Sequence, residues 1–348
     1  MSVISYSGIA AKIRAMKAEL LTESDFEKLE SCRLSVQKAE FLAGFRPYAA
    51  LFRNASDENL HRAGLERRLR LSLFQDFDKL YRFGNVRQKH FLKLYFAYYE
   101  VQMVKECLQA VLSGRPSQFE LALYEDFIKK YAKIDLIRLG ESKNLTEFIE
   151  NLAGTPYYSI LKRLEESGHA GTLDYETAID MRYFMSMWRR KKKELSPAEE
   201  KMIERTFGSR IDMLNLNWIY RSKKYYHLTP EELYALLIPI RYQISAQEMK
   251  KMVEAPGLQE FIELERATCY GPMVRAYLEK QGGTFADAQG ALLLHLYERE
   301  ARQHPYSIAP IHSYFFLKER EIERIIYIVE RSHYTDSREQ GTEKGVLS

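Results

Sequence analysis

Three acidic residues lie within helical stretches rich in apolar side chains: Glu100, Asp212 and Glu321. An unpaired carboxylate in such surroundings is costly, so each one is expected to reach a cation, a backbone donor or a wet cavity. One interpretation is an internal ion pair with a nearby arginine, and the candidates are Arg324 for Glu321 and Arg210 or Arg221 for Asp212. The alternative is that the three acids line one shared opening and bind a partner there.

The sequence lacks the motifs of several common catalytic sites. A phosphate-binding loop of the Walker type needs Gly-Lys-Ser/Thr, whereas the paired glycines, Gly282 and Gly283, are followed by Thr284, so we expect no nucleotide binding. No two of the eight histidines have the i, i+4 spacing of a helical zinc protease, and no Gly-x-Ser-x-Gly elbow is present. We therefore expect no catalytic residue, no cofactor and no metal, with a helical enzyme as the weakest alternative.

The charge balance and the cysteines narrow the class of protein. The 52 basic and 48 acidic residues give a net charge of +4, which lacks the strongly basic character of nucleic-acid-binding proteins. The longest apolar runs, such as 234–240, fall short of the roughly 18 residues that span a bilayer, and no secretory signal opens the chain. Three widely spaced cysteines, Cys32, Cys107 and Cys269, are expected to be small core residues. We expect a soluble intracellular protein that binds no nucleic acid.

Long helices must position these side chains, because the chain has few residues that break them. Its 348 residues include 17 Gly and 10 Pro, below the roughly 12% of average usage. Apolar side chains recur every fourth residue from Leu65 to Tyr81 with charged residues between them, which predicts an amphipathic helix. The segment from Tyr175 to Lys193 repeats this pattern, and no stretch shows a sustained period of two. The sequence predicts an all-α fold.

Capping residues and glycines predict where several helices begin and end. The sequences typical of helix starts are Thr22 with Asp25, Ser196 with Pro197 and Glu199, and Thr229 with Pro230. The glycines expected at helix ends are Gly114, Gly140 and Gly208, and Gly282-Gly283 is expected to form a turn.

The chain repeats itself at an offset of about 110 residues. Glu66, Glu176 and Asp287 open successive helices at this offset, and a second acid follows each of them 34 to 36 residues later. These second acids are Glu100, Asp212 and Glu321. The further landmark that repeats is Phe41-Leu42 with Pro47-Tyr48, Asn151-Leu152 with Pro156-Tyr157 and, in altered form, Met252-Val253 with Pro256. Three copies of one helical unit would explain the shortage of Gly and Pro.

We place the three units at residues 1–115, 116–229 and 230–334, followed by a polar tail, 335–348, that is expected to be disordered. A run of five cations, Arg189 to Lys193, ends a helix of the second unit, where it offsets the negative end of the helix dipole. The alternative for this run is contact with lipid headgroups or with an acidic loop of a partner.

A series of short pieces distributed over the chain carries a family resemblance. The pieces are Tyr6 with Ala10-Ala11-Lys12-Ile13, Leu20-Leu21-Thr22 with Phe26, Tyr98-Tyr99-Glu100, Thr155-Pro156-Tyr157-Tyr158, Ile211-Asp212-Met213-Leu214-Asn215, Leu236-Leu237-Ile238-Pro239 and Glu319-Arg320-Glu321-Ile322. In this order and at these spacings they resemble the AC39 family, the C-type subunits of the V-type ATPases and ATP synthases of archaea and bacteria, whose eukaryotic counterpart is the d-type one. The resemblance spans residues 6 to about 330.

The resemblance implies three similar helical domains that form a funnel around a pseudo-threefold axis. Such a protein is not an enzyme. It lies peripherally on the cytoplasmic face of the membrane, on the rotor ring of proteolipid subunits, receives the central axle in its socket, and transmits torque for proton or sodium transport. The implied partners are therefore the axle subunits and the ring. The residues alone leave open an unrelated α-helical scaffold that binds a partner helix or peptide.

Overall fold

The computed structural model describes residues 3–53, 62–114, 124–281 and 283–344, and within them the fold is all-α. Eighteen α-helices follow one another in these residues, and no strand occurs among them. The apolar stripe predicted from Leu65 to Tyr81 lies on one long helix, where Leu65, Leu69, Leu73 and Phe77 are buried. The predicted fold class is confirmed.

The described chain forms three segments, and each has four shorter helices followed by two longer ones. The first segment, residues 3–114, contains α1 (Val3–Lys17), α2 (Glu23–Ser31), α3 (Ser35–Ala43), α4 (Ala49–Phe52), α5 (Arg62–Phe83) and α6 (Val86–Ser113). The second segment, 124–226, contains α7 (Glu125–Tyr131), α8 (Leu136–Gly140), α9 (Leu145–Asn151), α10 (Tyr158–Ser167), α11 (Thr172–Glu194) and α12 (Pro197–Arg221), which continues into a π-helical turn (Ser222–Tyr226). The third segment, 230–344, contains α13 (Pro230–Leu236), α14 (Ala246–Glu254), α15 (Leu258–Arg266), α16 (Gly271–Gln281), α17 (Phe285–Gln303) and α18 (Ala309–Lys344).

This order supports three copies of one unit, each ending in two long helices. The unit boundaries near residues 115 and 229 stay a prediction. The tail predicted from residue 335 begins inside α18, whose backbone is helical to Lys344, and residues 345–348 lie outside the described part of the chain. Disorder of the tail also stays a prediction.

Local capping chemistry sets the predicted helix starts. The hydroxyl of Thr22 accepts a hydrogen bond from the N–H of Asp25, and the hydroxyl of Thr229 accepts one from the N–H of Glu232. These side chains satisfy N–H groups that have no partner in the first turn of a helix. Gly114 ends α6 in the left-handed region, with φ 61°, as expected for a glycine after a helix.

The prediction that Gly208 ends a helix is wrong. Gly208 lies inside α12 and is buried, and a Cβ atom at this position would lie 2.5 Å from Cγ of Tyr242. The glycine therefore permits the close approach of a ring to the helix backbone. Gly140 is the last residue of α8, as predicted, and Gly283 has φ 89°. Gly282 lies outside the described residues.

The apolar cores combine side chains of different segments. The last helix of each segment packs on short helices of the next one: α6 on α8 and α9, α12 on α13 and α15, and α18 on α2 and α3. In the last of these cores, Ile325 and Val329 of α18 are buried together with Leu29 and Leu42. Fully burying such a side chain contributes about 1.5–3 kcal/mol. The third segment therefore completes the core of the first.

The cysteines are less uniform than predicted. Cys107 is buried on α6, but Cys32 is half-buried and Cys269 is exposed. The prediction of three core cysteines is therefore wrong for Cys269, which lies in the turn between α15 and α16. The positions of cysteines in the sequence do not indicate whether a cysteine in a turn, such as Cys269, faces the core or the solvent.

Candidate functional site at the junctions of the segments

The third segment is connected to the first through Glu321 of α18, which is 5% exposed. Its Oε2 accepts a hydrogen bond from the backbone N–H of Leu21 at 2.6 Å. Its Oε1 accepts hydrogen bonds from the hydroxyl of Tyr48 and, at 2.9 Å, from Nζ of Lys318. Lys318 is itself fully buried and lies 4.0 Å from the centre of the Tyr48 ring. One backbone donor, one phenol and one ammonium group therefore satisfy this carboxylate.

Asp212 makes the equivalent connection between the second and third segments. This buried residue of α12 accepts hydrogen bonds on Oδ2 from the backbone N–H of Gln243 and from the hydroxyl of Tyr270, both at 2.8 Å. Burial raises the pKa of Asp212, and the hydrogen bonds from Gln243 and Tyr270 oppose that shift. Burial and the charge of Asp212 raise the pKa of Tyr270, so the phenol stays a donor at neutral pH.

Glu100 connects the first segment to the second. Its Oε1 accepts a hydrogen bond from the backbone N–H of Ile134 at 2.9 Å and another from the N–H of Lys133. Burial raises the pKa of Glu100, and these two backbone donors oppose that shift. Tyr157 is buried nearby, and its pKa is raised by burial and then by the negative charge of Glu100.

The three acids thus perform one structural task at three junctions. Each lies on the last helix of a segment and accepts a hydrogen bond from the loop that leads into a short helix of the next segment. The residues that cap these short helices follow at once, and they are Thr22, Asp135 and Ser245. We call these three junctions the acid–loop contacts. The series is cyclic, because the last contact returns from the third segment to the first.

A second set of side chains meets where the three final helices approach one another. The guanidinium carbon of Arg210 lies 4.9 Å from the ring centre of Tyr98, and its Nη1 lies 3.7 Å from Oε2 of Glu319. Glu319 also accepts hydrogen bonds on Oε1 from Tyr95, at 2.7 Å, and from Tyr99. We call Tyr98, Arg210 and Glu319 the central cluster. It joins α6, α12 and α18 through one cation, one anion and an aromatic face.

Each member of the central cluster stands two residues before one of the three acids in the sequence. Two residues turn an α-helix by about 200°, so the acids and the central cluster lie on opposite faces of the same helices. A cavity of about 260 Å³ adjoins the cluster and is lined by Tyr98 and Glu319 together with Glu66, Gln102 and Glu323. None of Glu100, Asp212 and Glu321 lines this cavity.

The arginine partners proposed for the acids are also not the ones observed. Arg324 pairs with Glu23 at 2.8 Å, Arg210 with Glu319, and Arg221 binds the hydroxyl of Tyr226. Glu321 pairs instead with Lys318, which stands one helical turn before it. Of the expected alternatives, a cation, a backbone donor or a wet cavity, the structure shows a backbone donor for all three acids and a cation for Glu321. A role of the three acids in partner binding stays a prediction.

The basic run at the end of α11 is only partly solvated. Lys191 is buried, lies 4.2 Å from the ring centre of Trp188, and pairs with Glu200 and Glu204. Arg190 pairs with Glu194 at 2.7 Å. The remaining members, Arg189, Lys192 and Lys193, are exposed. Contact of these three with an acidic partner or with lipid stays a prediction.

Within the described residues, no group of three or more His, Cys, Asp or Glu side chains is arranged to hold a metal ion. None of the helices in the described part of the chain is both long enough and apolar enough to cross a bilayer.

Comparison with known proteins gives a consistent result over most of the chain. A family model described as "ATP synthase (C/AC39) subunit" matches residues 9–340. The C-type subunit of the A-type ATP synthase of Thermococcus kodakarensis is 25% identical over 327 residues, which are 92% of this chain and 84% of that protein. The same component of the A-type ATP synthase of Methanosphaera stadtmanae is 23% identical over 336 residues, 93% of this chain and 83% of that protein. The C-type subunit of the A-type ATP synthase of a Desulfurococcus species is 26% identical over 327 residues, which are 92% of this chain and 85% of that protein.

Proposed function

The chain belongs to the ATP synthase (C/AC39) subunit family, and from this premise we propose that it is a non-catalytic rotor subunit of a rotary ATPase. In this proposal it lies peripherally on the cytoplasmic face of the membrane and connects the axle of the ATP-hydrolysing head to the membrane ring of proteolipid subunits. It transmits torque between them for ATP-coupled transport of protons or sodium ions. The alternative of an unrelated helical scaffold does not fit a chain of this family.

The observation that carries the proposal is the cyclic series of acid–loop contacts. A part that transmits torque must resist opening at every junction, because the weakest junction would yield first. Here the third segment returns to the first through Glu321 and the backbone N–H of Leu21. A hydrogen bond to a charged group contributes about 1.5–3 kcal/mol, and the shared apolar cores add to it. In this proposal the three acids contribute to torque transmission by stabilising the junctions between the segments.

The cavity beside the central cluster supports a site for the axle. Glu66, Glu319 and Glu323 give its lining an acidic character, and Arg70 is a cation in the same lining. Arg70 pairs with Glu106, so its charge is partly compensated within the chain. An axle that enters here is expected to present basic side chains, because opposite charges across an interface favour association.

Copurification tests the proposed role directly. The tagged chain would be recovered from native membranes in a mild detergent, and the complex would be inventoried by mass spectrometry. We expect the axle subunits and the ring proteolipid in constant proportion to the tagged chain. Recovery of the chain without either partner would contradict the rotor role.

Charge reversal tests the proposed axle site. We expect the double variant Glu66→Lys, Glu323→Lys to bind the axle at least about tenfold more weakly, because the acidic lining would then repel a basic partner. Retention of the axle subunits on the immobilised chain would measure the effect. The matched control is Glu27→Lys, Glu30→Lys, which reverses two exposed charges on α2. Equal axle affinity of both double variants would refute this site and leave the rotor role standing.

A further inference from the structure

A cleft of about 690 Å³ lies between the end of the second segment, formed by α12 and the π-helical turn, and α15, α16 and α17 of the third. Its lining shares no residue with the acid–loop contacts or the central cluster. The π-helical turn at its mouth ends at His227, the one non-glycine residue among those described with a positive φ, at 50°. Segments of π-helix occur frequently at functional sites. The proposed rotor role assigns nothing to this cleft.

The floor of the cleft holds a buried acid. Glu265 on α15 is 2% exposed, lines the cleft, and has no hydrogen-bond partner on Oε1. Burial raises the pKa of Glu265 to about 7, and the charge of Arg266 opposes the shift. A buried acceptor without a partner is costly, and a donor that binds in the cleft would lower this cost.

Aromatic side chains form the walls of the cleft. Tyr220 stacks on Phe285, with ring centres 4.7 Å apart and an angle of 18° between the planes. Tyr225 and Tyr226 extend from the π-helical turn and are 59% and 49% exposed. Exposed tyrosine faces beside a cleft are suited to the stacking of a flat heterocycle.

Cations form the rim. Arg221, Lys224 and Arg275 line the cleft and are exposed. Lys224 Nζ lies 3.0 Å from the hydroxyl of Tyr220, and Arg221 lies 2.6 Å from that of Tyr226. Among the described residues, neither of these two cations forms an ion pair. Arg275 pairs with Glu279. Arginine and lysine at the mouth of an aromatic cleft are suited to phosphate groups.

We propose that this cleft binds a nucleoside polyphosphate whose base carries an exocyclic amine. The amine donates to the carboxyl group of Glu265, the base stacks against the tyrosines of the wall, and the phosphates meet Arg221 and Lys224. The acceptor at the floor matches the exocyclic amine of such a ligand, the aromatic walls match its base, and the cationic rim matches its phosphates. The sequence lacks a glycine-rich phosphate loop, so side-chain cations take the place of a backbone cradle.

Calorimetric titration of the full chain with ATP tests the proposal. We expect saturable binding, with affinity at least about tenfold higher than for inosine triphosphate, in which a carbonyl oxygen replaces the amine. Glu265→Leu, which removes the carboxylate and keeps an apolar side chain of similar size, should weaken ATP binding at least about tenfold and leave the helical circular dichroism unchanged. Lys224→Gln should weaken ATP and inosine triphosphate equally. The matched control Glu260→Leu, an exposed acid on the same helix, should leave ATP binding unchanged.

Three results would overturn the proposal. The first is the absence of ATP binding up to about 1 mM. The second is inorganic triphosphate binding as tightly as ATP, which would indicate a site for polyanions alone. The third is unchanged ATP affinity in a folded Glu265→Leu variant. Because the titration needs neither axle nor ring, each of these results leaves the rotor role standing.

Discussion

At the scale of single residues, tyrosine hydroxyls are recurrent donors to carboxylates that are wholly or largely buried. The pairs are Tyr6 with Glu199, Tyr48 with Glu321, Tyr95 and Tyr99 with Glu319, Tyr131 with Asp78, Tyr270 with Asp212, and Tyr314 with Asp76. A phenol satisfies a carboxylate without burying a second charge, and its ring contributes apolar area to the same core. These pairs give a physical reason for seven of the 24 tyrosines.

The buried ion pair of Lys318 and Glu321 predicts a large effect of a single substitution. We expect Lys318→Met to lower the free energy of unfolding by about 3 kcal/mol, because it leaves a buried carboxylate without its cation. Urea unfolding followed by circular dichroism would measure the loss. The control is Lys17→Met, since Lys17 pairs with Glu298 at 3.0 Å on the surface and its loss should cost under about 1 kcal/mol. Equal losses in the two variants would contradict the role of burial.

The buried acid of the cleft predicts a pH dependence of stability. The pKa of Glu265 is raised from 4.5 to about 7 in the folded chain, so the folded chain holds a proton that the unfolded chain releases as the pH rises between these values. Its contribution to stability therefore falls through this window, and Glu265→Leu removes the effect. We expect the free energy of unfolding of the variant, relative to that of the wild type, to rise by up to about 3 kcal/mol between roughly pH 5 and pH 8.

Urea unfolding at several pH values without nucleotide would measure this difference. The other charged groups that line the cleft are Arg221, Lys224, Arg266, Arg275 and Glu279. A difference between variant and wild type that stays constant with pH would argue against the titration of Glu265.

At the scale of elements, local signals predict the helices well. The every-fourth-residue stripe of α5 and the caps at Thr22 and Thr229 depend on residues within one or two turns, so the sequence displays them directly. Gly208 shows the limit of such signals. Glycine marks a helix end and a close contact equally, and the deciding neighbour, Tyr242, lies in a different segment of the chain.

The same limit applies to the candidate site. The repeat identifies Glu100, Asp212 and Glu321, but the face that each presents depends on the rotation of its helix against its neighbours. Tyr270 is missed as the equivalent of Tyr157, because Gly-Pro follows it whereas Thr-Pro precedes Tyr157. Glu265 gives no local signal, since its burial results from elements more than forty residues apart in the chain.

Two glycine-to-alanine substitutions are predicted to have opposite effects. Gly208→Ala in α12 should destabilise the fold by about 1–3 kcal/mol, because its Cβ would overlap the ring of Tyr242. Gly8→Ala in α1 should stabilise it by about 0.5–1 kcal/mol, because the nearest atoms of Phe83 lie at an ordinary 3.4 Å and alanine favours helix. Thermal unfolding of both variants would check the signs. Destabilisation by Gly8→Ala as large as that by Gly208→Ala would show that the contact with Tyr242 is not the cause.

At the scale of the whole molecule, the three segments do not have separate cores. The last helix of each segment packs on the short helices of the next, and the acid–loop contacts lie at the same junctions. Removing one segment therefore exposes apolar surface on both of its neighbours. The sequence repeat alone would also be compatible with a chain of independent domains. The shared cores exclude that arrangement for the described residues.

The shared cores predict a single unfolding transition. We expect calorimetry of the full chain to give one endotherm whose calorimetric and van't Hoff enthalpies agree, because no segment can unfold without exposing the core of the next. Residues 1–115 expressed alone should lack a cooperative transition, since the core with Leu29 and Leu42 also needs Ile325 and Val329. Three resolved transitions would indicate independent domains and contradict the shared packing.

The junction between Glu321 and Leu21 also has a consequence for the order in which the protein is made. The two residues stand 300 positions apart, so a ribosome that adds about 5–20 residues per second needs roughly 15 to 60 seconds between them. During that interval α2 and α3 have left the ribosome while the helix that covers their apolar faces does not yet exist. The first of the three segments to be synthesised is therefore the last to complete its core, and nascent chains need protection of that surface until α18 has been synthesised.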